Sequence, residues 1–433
     1  MIKLNQPVLM ELQADMAWIP LVQAVVEQGA PVLGLDRSKT LRLTMAVEEI
    51  VSHLARTALG TKIGFSLKPY GWHVLAEFSF RADPSHLWAM NLAAKPNLSD
   101  PNDLDHLGLL LASRMVDGFT LHLEGEVVHL ALRQDCSYPV VTKIAADPIR
   151  SKGKLTIVPA PESAFIQAAC VRAVNLYPAR KNHTAFSMPG KVADMVAQKD
   201  MDMALVLDET SALAGMICWQ ALSEKGIGFF GPYVFCREEQ AAALLTEHLI
   251  QRVARTKAMG LFSELATPEL TTKEFESLGH FSYVQSDGQA SREEVWYRHL
   301  GEDMGASVWA HPAMVSFLSA AYGRLVLMRD IRETCGFGEA LPRRSVFSTQ
   351  LRPELGEATL MPMVTGADAK DCVARHVDTL CRENFSNIFF KLDLAFGWQA
   401  ALGGVLMENG FKPRLLLPHG GRSDLVVFQY EPA

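Results

Sequence analysis

The chain has 433 residues, too many for one hydrophobic core, and at about 100 to 200 residues per domain it divides into two to four compact units. Hydrophobic residues make up 49% and charged residues 21%, a globular balance that excludes a disordered or fibrous chain. A formal net charge of −7 excludes the broad positive field that nucleic acid or an anionic membrane surface requires, which leaves small molecules and proteins as partners.

At the start, Met1-Ile2-Lys3-Leu4-Asn5-Gln6-Pro7 lacks a basic region followed by an apolar run, so export is not expected. Hydrophobic periodicity predicts helices over Ala17–Leu33 and Arg37–Leu59, then alternating strands over Lys62–Lys68 and His73–Phe80. Asp83–Asp105, rich in Pro, Asn and Asp, reads as a loop, followed by a helix over Leu107–Val116 and strands over Phe119–Leu123 and Val127–Arg133. Helices on one face of an antiparallel or mixed sheet make an α+β sandwich. Glu48, Glu49 and Arg114 interrupt the longest apolar candidates, so none reaches the roughly 18 to 20 residues that cross a bilayer.

A linker is expected from Cys136 to Lys154. The second unit reads as a strand (Leu155–Val158), helices (Ser163–Asn175 and Pro189–Gln198) and strands at Ala204–Leu207, Gly215–Ala221 and Gly226–Phe235. A helix over Glu238–Met259, a strand at Leu261–Leu265, a helix around Thr271–Leu278 and strands up to Tyr297 complete it. A second linker covers Ser286 to Gly305 in part, and a third unit opens with a helix near Ala313–Tyr322. Its later helices, Ala369–Glu383 and Trp398–Asn409, alternate with strands. Leu278-Gly279-His280-Phe281 and Asn409-Gly410-Phe411 stand at matching places, a weak internal repeat that suggests duplication. Seven cysteines (136, 170, 218, 236, 335, 372 and 381) never form Cys-x-x-Cys, so reduced thiols in a cytosol are expected rather than disulfides or zinc.

Leu43-Thr44-Met45-Ala46-Val47-Glu48-Glu49-Ile50-Val51-Ser52-His53 resembles the ATP-site helix of the GHKL family, in particular the anti-sigma-factor serine kinases. Leu107-Gly108-Leu109 through Asp117 is similar to their glycine-box helix. The resemblance implies a basic Glu at Glu49 and, four residues on, an Asn that holds magnesium; His53 stands there instead. Spacing i, i+4 puts both on one helix face, but imidazole is a poor substitute for a hard oxygen ligand of magnesium. The adenine-reading Asp has its counterpart in Asp83, followed by Pro84 and Ser85, and of the paired lid glycines only Gly108 is present, after Asp105 and His106. ATP is therefore disfavoured and no metal is expected.

Met203-Ala204-Leu205-Val206-Leu207, Ala214-Gly215-Met216-Ile217, Pro232-Tyr233-Val234 and Leu278-Gly279 resemble the GNAT acetyltransferase superfamily, and Trp309-Ala310-His311-Pro312 and Leu425-Val426-Val427-Phe428 resemble bacterial fusions of such modules with an ATPase-like domain. That resemblance implies a strand end at Tyr233 and Val234 whose main chain meets a pantetheine arm. It also implies a pyrophosphate turn at Cys236-Arg237-Glu238-Glu239-Gln240-Ala241, where Arg237 and Ala241 fit and Glu239 replaces the central glycine. Where such enzymes carry an acidic Tyr, Phe275 and Leu406 stand, and Gly226–Phe235 holds no carboxylate; Tyr233, Glu264, Tyr283 and Tyr297 are the substitutes on offer. Thr365-Gly366-Ala367-Asp368 is all that a second coenzyme turn retains. His122 and His129 lie on adjacent predicted strands.

The fold class expected is α+β or α/β multidomain: a GHKL-like α/β sandwich over 1–136 followed by GNAT-like mixed β-sheet units over 153–300 and 306–433. The function expected is that of a cytoplasmic regulatory or ligand-binding protein with eroded CoA and ATP motifs, taking acetyl-CoA, another acyl-CoA, a small molecule or a protein partner. An active acyl-CoA-dependent N-acyltransferase and an anti-sigma-type protein-binding module are the alternatives.

Overall fold

The computed structural model describes residues 6–95, 101–238, 240–285, 288–336 and 340–432, and for 101–105 the backbone alone. It is a mixed α/β multidomain chain with several sheets, in two compact units. One unit takes the residues up to Ser137 with Gly336–Leu351 and Ala358–Ile388; the other takes Tyr138–Cys335, Arg352–Glu357 and Phe389–Ala433. No helix of the described residues is long and apolar enough to cross a membrane.

The first unit begins with β1 (Val8–Gln13), α1 (Ile19–Val32), α2 (Arg37–Thr57), β2 (Lys62–Pro69) and β3 (His73–Arg81). After a 3-10 turn at Pro84–Met90 come α3 (Pro101–Met115), β4 (Gly118–Glu124) and β5 (Val127–Asp135). The sheet order is β1-β2-β3-β5-β4, antiparallel throughout. Asp36 starts α2 by accepting the Lys39 amide at 2.8 Å, and the stripe Leu43, Ala46, Val47, Ile50 and Leu54 recurs at helical spacing and is buried. On β3, Val74, Ala76, Phe78 and Phe80 are buried while Leu75, Glu77 and Ser79 alternate with them on the outer face. That outer face carries an open groove of about 570 Å³ lined by Glu11, Ser66, Lys68, Glu77 and His129 among others. His122 and His129 pair across β4 and β5 with rings stacked 4.7 Å apart.

The stretch expected as a loop thus contains structure: Asp83 and Pro84 start the 3-10 turn, and α3 begins at Pro101, before the expected Leu107, with proline at a first helical position where its missing N–H costs nothing. β1 was not expected, since its exposed Val8, Leu9 and Glu11 blur the alternation on an edge strand.

The second unit opens with β6 (Thr156–Val158), α4 (Ser163–Leu176), α5 (Pro189–Gln198), β7 (Asp202–Leu207), β8 (Leu213–Ala221) and β9 (Gly226–Val234). Then follow α6 (Gln240–Val253), β10 (Gly260–Ala266), β11 (Glu276–Val284) and β12 (Ala290–His299). The sheet order is β11-β12-β10-β9-β8-β7-β6, with β9 and β10 parallel and the other pairs antiparallel. Only that parallel pair needs a crossover, which α6 supplies. Its Leu245 and Leu249 pack on Val206, Ile217, Phe229 and Leu261. Each buried Phe contributes about 1.5 to 3 kcal/mol of transfer free energy.

The helix expected around Thr271–Leu278 is a correction: the structure has a 3-10 turn at Thr272–Glu274 and then strand β11. Thr271 and Thr272 are poor helix formers, and Gly279, at φ +123°, takes a bulge opposite Val295 that only a strand pairing supplies.

The chain continues through β13 (Ala306–Ala310), α7 (Val315–Leu325) and β14 (Arg329–Glu333), a parallel βαβ arrangement. Next come β15 (Val346–Arg352), β16 (Glu357–Val364), α8 (Ala369–Arg382), β17 (Asn387–Asp393), α9 (Gly397–Ala400), α10 (Leu402–Glu408), β18 (Phe411–Leu417) and β19 (Leu425–Tyr430). β19 pairs antiparallel with both β17 and β18, as β12 does with β10 and β11. The matching strands β11 and β18 lie side by side, where Gln429 brackets the main chain of Ser282 and a Cβ on Gly279 would stand 3.2 Å from Leu415.

Within this unit the Arg329 guanidinium is fully buried, 2.7 Å from both Asp303 and Asp424. His419 completes the cluster, its Nε2 3.0 Å from Asp303 and its N–H donating to Asp424 at 2.8 Å.

Candidate functional site

In the first unit, α2 and α3 pack against one another and bring together three of the four expected residues. Glu49 lies against Gly108, where any side chain would collide with its carboxylate. Burial pushes the Glu49 carboxyl up, and the neighbouring Glu48 adds to it. His53, one turn on, is 1% exposed, and neither ring nitrogen has a hydrogen-bond partner. Burial, with His106 and His86 nearby, lowers its pKa to about 3, so it is a neutral imidazole at pH 7. The His106 ring stands 5.7 Å from it and 5.2 Å from Trp88. Asp83 accepts the Ser85 amide at 2.8 Å and so serves as the cap of the 3-10 turn. The Asp105 side chain lies outside the described residues.

The second unit gathers its expected residues at the end of β9. Tyr233 is fully buried, donates to the Lys181 carbonyl at 2.6 Å, and meets Tyr177 and Phe186 edge-on. Burial drives its phenol far up, which removes it as a proton source. The Val234 N–H donates to the Tyr177 hydroxyl at 2.8 Å, and that hydroxyl donates to the Val234 carbonyl at 3.1 Å. Thr267, just past β10, donates from its hydroxyl to the Pro232 carbonyl at 2.5 Å.

In the turn that follows, Arg237 is exposed, Ala241 is buried in the first turn of α6, and Glu239 lies outside the described residues. The Glu238 carboxyl is held below its usual range, chiefly by a hydrogen bond with Ser151. Phe275 packs on Phe229, ring centres 5.6 Å apart, and Leu406 is fully buried, so both are core residues. At Gly366, in the first unit, the amide donates to the Ser345 hydroxyl and that of Ala367 to the Pro342 carbonyl. The chain's own groups thus occupy the donors that an anion would need.

Glu264 stands out among the substitutes. It faces solvent, yet enough protein surrounds it that desolvation raises its carboxyl, against the pull of Lys391, Gln220 and Arg352. Gln220 donates to it at 3.2 Å, and Gly228 leaves the space into which its carboxylate leans. Tyr283 and Tyr297 are both pushed up by burial, and Tyr283 donates to Glu357 at 2.9 Å. Tyr177 was not singled out from the sequence, where it is one aromatic residue before a proline.

No family model matches this chain, and no curated protein matches it. Solved structures similar to parts of it include a GNAT-superfamily phosphinothricin acetyltransferase from Sinorhizobium meliloti in complex with AcCoA, at 15% identity and TM-score 0.28, covering 35% of this chain and 90% of that one. An acetyltransferase of the GNAT family from Staphylococcus aureus is 10% identical at TM-score 0.26, covering 34% and 100%. The RsbU and RsbW domains of a Mycobacterium tuberculosis protein are 17% identical at TM-score 0.22, covering 31% of this chain and 33% of that one. Likenesses of this extent carry no argument about chemistry.

Proposed function

We propose that residues 153–300 form an acetyltransferase-type module of the GNAT kind, which binds an acyl-CoA as part of a regulatory or ligand-binding protein. Residues 1–136 serve in this reading as an anti-sigma-type ATPase-like scaffold, and 306–433 as a second acetyltransferase-like module. One observation carries the proposal: taken in chain order, the strands β6 to β12 lie in the sheet as first, second, third, fourth, fifth, seventh, sixth, with one parallel pair at the centre and α6 crossing between its members. A parallel pair inside an otherwise antiparallel sheet offers a strand end next to a helix N-terminus, the arrangement that receives a phosphate-bearing cofactor.

Loss of chemistry is supported by the same residues. Phe275 and Leu406 have no proton to give, Tyr233 is locked in the core, and β9 has no carboxylate. In the first unit, a neutral His53 and a Glu49 packed on Gly108 favour a scaffold without magnesium nucleotide. Calorimetric titration of the full chain tests both halves of the reading. Acetyl-CoA is expected to bind without turnover, and magnesium ATP is not; ATP affinity tighter than roughly 100 μM sinks the second half.

A second reading, an active N-acyltransferase, is favoured by Glu264, whose raised carboxyl in an open setting suits a base for an amine. The check is thiol release from acetyl-CoA with mixed amines. Release that falls by about a hundredfold or more in Glu264→Gln establishes this second reading, and its absence in the wild type rejects it.

A further inference from the structure

We infer that Tyr177, braced by residues 143 and 144, forms an internal stopper on a main-chain docking slot at the end of β9, which an amide-bearing ligand arm enters only by displacing it. The ligand rests on the acyl-CoA reading above; the stopper rests on hydrogen bonds.

The Phe235 N–H donates to the Ala214 carbonyl on β8 at 2.8 Å. Main-chain groups alternate in direction along a strand, so Val234, one residue earlier, turns its N–H and carbonyl away from β8. On that side the pairing with β10 ends at Ala266 opposite Gly231. Val234 therefore faces a strandless edge, and a buried amide left there without a partner is costly. The Tyr177 hydroxyl fills both needs at once, accepting from the N–H and donating to the carbonyl. This is the donor and acceptor pair that a secondary amide of an extended arm presents. Tyr177 is 6% exposed and braced edge-on against Tyr233, 5.1 Å between ring centres.

The start of the connector 143–152 braces the stopper, and the rest of it runs along the other edge of β9. Lys143 donates to the Tyr177 carbonyl at 3.1 Å, and the Ile144 N–H donates to Asn175 at 2.9 Å. Further on, the Ile149 N–H donates to the Phe235 carbonyl at 2.8 Å, which by the same alternation lies on the β8 side, and residue 149 bridges Cys236 there as a parallel strand would. The Lys152 N–H donates to Asp208 at 2.8 Å, in the turn that leads into β8. The brace on Tyr177 is two single hydrogen bonds, each of which water can replace.

The test uses the full-length protein, titrated with coenzyme A and acetyl-CoA as wild type, Tyr177→Phe and Ile149→Pro, with circular dichroism to verify the fold. Tyr177→Phe leaves the Val234 amide without its partner only in the closed form, so it binds about tenfold more tightly, whereas Ile149→Pro, which removes a donor on the β8 side alone, binds as the wild type does. Equal affinities in all three folded proteins overturn the stopper and leave the acyl-CoA reading intact. If none of the three binds while the Val234 amide of Tyr177→Phe exchanges faster, the slot opens but takes no CoA; that overturns the acyl-CoA reading and with it the ligand assigned to the slot.

Discussion

His53 shows how a single residue decides what a familiar helix pattern can do. A histidine four residues after Glu49 was legible in the sequence, and so was its unsuitability for magnesium. Its burial was not, because that depends on α3 closing over α2. Since its folded pKa is near 3 against an ordinary 6.5, the unfolded chain binds the extra proton between those values, and stability falls as pH drops through 6.5. At pH 5 the loss from this one group is about 2 kcal/mol. Urea melts at pH 7 and pH 5 check this: wild type is expected to lose about 2 kcal/mol more than His53→Leu over that interval. Equal losses contradict it. His376, its pKa lowered by burial to about 4, acts in the same direction and remains in both proteins.

Tyr177 and Asp83 mark the other limit at this scale. Asp83 was picked as a ligand-reading residue from its place in the chain, yet an Asp before Pro84 and Ser85 has a local use as a cap, which the structure gives it. Nothing in the linear pattern around Tyr177 says that its hydroxyl reaches Val234, 57 residues away. Pairings of that sequence separation come from the fold alone.

Among the elements, the strongly periodic ones were legible: α2, β3, β5 and α6 follow directly from where their apolar residues recur. Thr271–Leu278 failed as a helix because bulge and pairing geometry outweighed a marginal propensity. Also invisible was the way residues 301–305, β14 and the loop before β19 are fastened by Arg329, Asp303, Asp424 and His419, since one Arg and two Asp far apart in sequence carry no shared signal. Arg329→Met leaves two buried carboxylates without the guanidinium between them, and is expected to destabilise the protein by about 3 to 5 kcal/mol in denaturant melts. A change below about 1 kcal/mol, the value of an exposed pair, refutes the buried network.

For the whole molecule, the succession of helical and strand periods pointed to the class observed, a mixed α/β multidomain chain with several sheets. The strand order in the seven-stranded sheet could not be read from sequence, because it depends on which edges meet after α6 crosses from β9 to β10. The paired hairpins β11/β12 and β18/β19 give structural content to the Gly279 and Gly410 repeat, with both glycines at positive φ. What ties these scales together is the claim that the end of β9 is a ligand slot kept closed by the chain itself. Amide hydrogen exchange of the full-length protein with and without saturating acetyl-CoA addresses it most directly. The predicted result is altered protection confined to residues 143–144, 177 and 231–241; no change there, or change confined to residues 37–115, contradicts it.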